Sequence, residues 1–113
     1  MSTGFSRQGY EIPQQLVDDV RGTTYHAFIE TSRAADDYLK RRALPDRLTA
    51  LGKPLLVIFG KEDRRWRSAS AAEYHAVPGA RVEIPAGLGH SPMLEDPPQT
   101  AALLLAFTAT HIA

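Results

Sequence analysis

The sequence predicts an α/β fold: one βαβ unit with a carboxy-terminal helix, preceded by amphipathic helices. Three observations carry that prediction. Leu55-Leu56-Val57-Ile58-Phe59 is an unbroken apolar run closed off by Pro54 and Gly60, as expected of a strand covered on both faces in a parallel sheet. Arg81-Val82-Glu83-Ile84 follows the turn Val77-Pro78-Gly79-Ala80 and reads as a second, shorter strand. Ser68 to Tyr74 between them reads as a short helix, so the unit fits into about thirty residues, with a right-handed crossover.

Taken in order, residues 1 to 9 carry Ser, Thr and two glycines and read as a flexible lead-in. Glu11-Ile12-Pro13 opens a helical pattern, since proline is tolerated in a first turn. Ile12, Leu16, Val20 and Ala27 recur near helical spacing, with Val17, Thr24 and Phe28 on a neighbouring line. Gly22-Thr23-Thr24 predicts a break in the middle. Ser32 to Arg42 reads as a second helix with Ala35, Tyr38 and Leu39 on its apolar side and Lys40-Arg41-Arg42 as a solvated basic end. Such helices need another surface to bury against. Leu44-Pro45-Asp46-Arg47-Leu48 reads as a punctuated link, because proline biases its predecessor away from helix. Ser70-Ala71-Ala72-Glu73 fits a capping box. Asp96 is the expected N-cap of the last helix, with Pro97 and Pro98 in its first turn and Leu103, Leu104 and Phe107 on its buried face. Glu95 is expected to form local hydrogen bonds, and Thr108 to Ala113 to fray.

Composition excludes several function classes. With 113 residues there is room for one domain, and 43% hydrophobic content beside 23% charge excludes wholesale disorder. Lys plus Arg balances Asp plus Glu at 13 each, so no basic field exists to attract nucleic acid. The chain has no cysteine, hence no disulfide, thiolate metal site or cysteine nucleophile. His26, His75, His90 and His111 are scattered without metal-ligand spacing. Neither Gly-x-Gly-x-x-Gly nor a P-loop is present, and no cofactor is expected. The amino terminus lacks the apolar core of a signal peptide, and the run from Ala101 to Phe107 is too short to span a bilayer, so a cytoplasmic protein is expected.

In parallel α/β sheets, reactive groups gather beyond the carboxyl ends of the strands. Asp63 follows the first strand three residues after Gly60, and His90 stands in the loop leaving the second, within Gly87-Leu88-Gly89-His90-Ser91-Pro92-Met93. Neighbouring parallel strands would place both loops on one rim. An aspartate there could hold the imidazole in one tautomer and stabilise the imidazolium formed in catalysis. Gly87 and Gly89 would permit the turn that presents the ring. On spacing alone, Asp63 reads rather as part of a turn and His90 as polar surface.

Three stretches in order change that balance: Pro54-Leu55-Leu56-Val57-Ile58-Phe59-Gly60-Lys61-Glu62-Asp63, Val77-Pro78-Gly79-Ala80-Arg81-Val82, and Gly87-Leu88-Gly89-His90-Ser91-Pro92-Met93-Leu94-Glu95-Asp96-Pro97. Together they resemble the carboxy-terminal part of an α/β-hydrolase, over about residues 48 to 109. The resemblance implies a partial α/β-hydrolase fold in which Asp63 is the triad acid and His90 the triad base. It divides the chain into residues 1–47, a lead-in with lid-like helices, and 48–113, the carboxy-terminal part of the core. The family's nucleophile elbow, Gly-x-Ser-x-Gly, precedes the acid and the histidine in chain order, and nothing here fits it. Gly4-Phe5-Ser6-Arg7-Gln8 lacks the second glycine, and Ser91 adjoins His90 on a loop. The oxyanion-hole segment and the early strands are also missing, and Leu88 is bulkier than the small residue usual between the glycines. Arg64-Arg65-Trp66-Arg67, a basic and aromatic turn after the acid, makes Trp66 a candidate substrate contact.

The expected function is therefore hydrolysis of an ester, amide or carbon–carbon bond in a small-molecule substrate. With the nucleophile absent from these residues, the chain is expected to be silent on its own. Two strands leave open edges, so the sequence is expected to be a fragment or to form a homo-oligomer. The alternative is a non-catalytic module that self-associates or binds a partner through an exposed sheet edge. No contact with nucleic acid or membrane is expected.

Overall fold

The computed structural model of the chain describes residues 4–111. At its centre is a two-stranded parallel sheet, β1 (Leu56–Ile58) and β2 (Arg81–Glu83), with Val57 opposite Val82. The ladder reaches one bond past each end: Arg81 N–H donates to Leu55 O and Phe59 N–H to Glu83 O, both at 2.9 Å. The run of apolar residues forms its strand, but the strand residues are half-buried rather than enclosed on both faces. Among the described residues each strand has one paired edge only, and the cover over the sheet is thin.

The connection between the strands is a 3-10 helix, Ser68–Ala76, in place of the expected α-helix. The capping box does not form, because the helix starts at Ser68, so that Ser70 already lies inside it. Ala71 on this segment and Val77 just after it are buried, and with Leu88 they make the small apolar core.

Ahead of the sheet come α1 (Gln14–Gly22), α2 (Tyr25–Arg41) and α3 (Leu44–Leu51). The break at Gly22 is present, and Thr24 caps α2 by accepting the Ala27 N–H at 3.0 Å. With that cap, α2 runs from Tyr25 rather than from Ser32. No residue of α1 or α2 is buried, and their apolar side chains, Val20, Tyr25, Phe28 and Tyr38, stand exposed. Helix α3 replaces the expected link. Pro45 sits in its first turn, where the missing N–H has no partner to lose. The boundary expected at residues 47 and 48 falls inside this helix. Arg47 fastens α3 to the end of α2: its guanidinium lies 4.2 Å from the Tyr38 ring centroid and donates to Tyr38 O and Arg42 O. Those carbonyls belong to the last turn and cap, where no intrahelical donor remains.

The carboxy-terminal elements are α4 (Pro92–Glu95) and α5 (Pro97–His111). Asp96 caps α5 as expected, its carboxylate accepting the Gln99 N–H at 3.2 Å. Leu103 and Phe107 are half-buried while Leu104 faces out. Residues 108–111 remain helical instead of fraying, and 112–113 lie outside the described residues. No described helix is long and apolar enough to cross a membrane.

Candidate active site

Both strands end on the same rim, and the chain beyond β1 is laced to the chain beyond β2. Lys61 N–H donates to Pro85 O at 3.0 Å, and Glu62 N–H donates to Leu88 O at 2.9 Å. Gly60, buried at the crossing point, is in contact with the opposite backbone: a Cβ there would stand 2.5 Å from Leu88 O and would collide with Gly89 O. Only glycine lets the two loops approach this closely.

The histidine loop has two glycines with different tasks. Gly87 takes φ +77°, the turn the sequence leads one to expect. Gly89 is there for space, since a Cβ would lie 2.8 Å from both Ser6 N and Ser6 Oγ. Between them Leu88 turns inward and is 3% exposed, so its bulk fills the core.

Asp63 and His90 meet at the rim: Asp63 Oδ2 lies 2.9 Å from His90 Nδ1. The other oxygen, Oδ1, accepts the backbone N–H groups of Arg65 at 2.8 Å and Trp66 at 3.0 Å. The Asp63 side chain is 4% exposed and that of His90 34%. An ionised carboxylate only accepts, so the proton of a neutral imidazole sits on Nδ1 and the lone pair on Nε2. Nε2 is then the atom able to take a proton from a neighbouring group.

Burial alone would raise the pKa of Asp63. The hydrogen bond from His90 and those from Trp66 and Arg65 outweigh it, and the carboxyl is held below its ordinary value. A depressed carboxyl pKa stabilises the fold fully above the unfolded-state value, about 3.9, and that stability is lost as pH falls through the folded value. Thermal unfolding followed from pH 6 down to pH 2 should therefore show Tm falling below about pH 4, with a shallower fall in Asp63→Asn. An unchanged slope in the variant would refute the linkage.

Trp66 joins the pair through its backbone, while its side chain is 49% exposed. The Arg65 stem lies beside the histidine: Arg65 Cδ and His90 Cβ both come within 3.0 Å of where a Cβ on Gly4 would stand. His26, His75 and His111 are exposed elsewhere, and among the described residues no three His, Asp or Glu side chains gather as metal ligands. The cavity lined by Leu48, Lys53, Pro54, Val77 and His111 includes neither Asp63 nor His90.

Two features lay beyond the sequence reading. Residues 4–7 are no flexible lead-in: Gly4 is buried, its carbonyl accepts the His90 N–H at 2.5 Å, and Ser6 Oγ donates to Glu62 O at 2.8 Å. Residues 1–3 lie outside the described residues. Glu95, 1% exposed, bonds far beyond its neighbours: Oε1 accepts Ser6 N–H at 2.6 Å and Arg7 N–H at 2.8 Å, and the carboxylate also accepts from Gly89 and Ser91. A glutamate set between the histidine loop and an Asp-Pro-Pro cap is a signal for the Gly89 and Ser91 bonds. No local pattern announces partners at residues 6 and 7.

Compared with known proteins, the sequence finds no match among curated ones. The model of the alpha/beta hydrolase family matches residues 3–103, which take in the rim residues together with all three amino-side helices and both strands. The chain belongs to the alpha/beta hydrolase family.

Proposed function

We propose that Asp63 and His90 are the acid and base of a hydrolytic triad whose nucleophile and oxyanion donors lie outside these 113 residues. The observation that supports this most is the 2.9 Å contact of Asp63 Oδ2 with His90 Nδ1, beyond the carboxyl ends of adjacent parallel strands. In the complete site, His90 Nε2 takes the proton of a serine hydroxyl as its oxygen attacks the substrate's acyl carbon. Asp63 stays ionised and stabilises the imidazolium. His90 then returns the proton to the leaving group, and a water molecule repeats the cycle to free the enzyme. With a carboxylate nucleophile, His90 instead activates the water. Trp66 is the side chain of this segment offered to bound substrate, and residues 10–47 serve as the lid.

The chain alone should give neither a burst from a p-nitrophenyl ester nor labelling by a fluorophosphonate. Supplied with a segment carrying Gly-x-Ser-x-Gly and encoded upstream, it should give both, and His90→Ala should abolish both. A burst from the chain alone, or an assembled activity indifferent to His90→Ala, would overturn the proposal. The half-buried strands, with one free edge each, favour association as a second reading: a non-catalytic module pairing with a copy of itself. A compact monomer in sedimentation at micromolar concentration would sink that reading.

A further inference from the structure

Glu95 presents an unusual balance of charges. Its carboxylate is 1% exposed, and among the described residues no cationic group lies within ion-pair distance of it. A buried charge is tolerated only when hydrogen bonds replace its water. Here backbone amides do so, drawn from two stretches 82 or more residues apart in sequence: Ser6 and Arg7 on Oε1, Ser91 on Oε2, and Gly89 on both. Gly89 and Ser91 are the residues on either side of His90. The same carboxylate thus grips the backbone before and after the histidine and ties it to residues 6 and 7, just beyond Gly4, whose carbonyl accepts the His90 N–H.

We infer that Glu95 is the positioning residue of His90, an inference resting on the triad reading above. It works through the loop and never touches the ring. Asp63 fixes one ring nitrogen, but an imidazole on a mobile loop would swing out of that bond and lose the tautomer it sets. The Glu95 amide clamp removes that freedom by fixing the backbone from which the ring projects. The clamp requires the ionised form. A glutamine has one acceptor oxygen, and its NH2 must then face either Ser6 and Arg7 or Gly89 and Ser91, donor against donor.

The test is nitrogen NMR of the His90 imidazole in the parent, E95Q and Asp63→Asn, with amide exchange at Gly89 and Ser91. The parent should show the single tautomer with the proton on Nδ1. E95Q should stay folded by circular dichroism, lose that single tautomer, and exchange amides at residues 89 and 91, or at 6 and 7, roughly tenfold faster. Asp63→Asn should lose the tautomer without the faster exchange. Loss in Asp63→Asn but retention in E95Q overturns the positioning role alone. A tautomer that survives Asp63→Asn overturns the triad reading, and the inference with it. If E95Q does not fold, the parent decides: slow exchange of the Ser6, Arg7, Gly89 and Ser91 amides in one common opening supports the clamp, and exchange at the rate of open loops overturns it.

Discussion

Asp63→Asn should lower turnover of the assembled enzyme by about 10⁴-fold while leaving the turn around residue 63 in place. The reason lies in how the two carboxylate oxygens are divided. Oδ1 accepts two backbone N–H groups, from Arg65 and Trp66, whereas Oδ2, among the described residues, meets only His90 Nδ1. An asparagine oxygen will keep the two backbone bonds, so its NH2 must point at the histidine. Nδ1 then becomes the acceptor and the ring proton moves to Nε2, the position that has to be bare to act as a base. Turnover measured against Tm separates the effects: a large fall in kcat with Tm within a few degrees of the parent supports the tautomer argument. A fall in kcat of less than tenfold would refute it.

Gly60→Ala should produce the largest loss of stability of any Gly→Ala change in this chain, about 3 kcal/mol. The new Cβ meets Leu88 O at 2.5 Å and Leu88 C at 2.7 Å, besides Gly89 O. All three are backbone atoms, so no side chain can swing aside and the histidine loop itself must retreat. Retreat breaks the bonds of Lys61 to Pro85 and Glu62 to Leu88 and draws Asp63 away from His90. Differential scanning calorimetry should show Tm lowered by about 12 °C or more. Gly22→Ala is the matched control, because nothing lies within 4 Å of the methyl it adds. Equal Tm changes in the two variants would refute the close-approach argument.

The parts of the fold legible in the sequence are those set by local punctuation. Proline and glycine fence the run from Leu55 to Phe59 so tightly that its strand could hardly lie elsewhere, and the parallel pairing with Arg81–Glu83 follows from the connection between them. The meeting of Asp63 and His90 was legible for the same reason, since strand ends place their following loops on one rim. Errors came where one residue type serves opposite purposes. Pro45 reads as a breaker but opens α3, because a first turn does not use its N–H. Thr24 extends α2 backward by capping it, although threonine in a helix interior would weaken it. The segment 68–76 winds as a 3-10 helix, a distinction that side-chain periodicity over so few residues does not encode. Glu95 was misjudged because its decisive partners are 89 and 88 positions away. Contacts of that range leave no trace in spacing.

The clamp on residues 6 and 7 has an evolutionary consequence. It grips main-chain amides, which nearly every amino acid supplies, and the helices that follow bury no residue against the rest. The helical arm is therefore a loosely seated appendage: its root is held by main-chain amides together with the Ser6 hydroxyl on Glu62 O and the Arg7 guanidinium on Glu95 O, while its body can diverge or lengthen without repacking a core. Under the proposed function, change in the arm leaves the histidine loop and its chemistry as inherited.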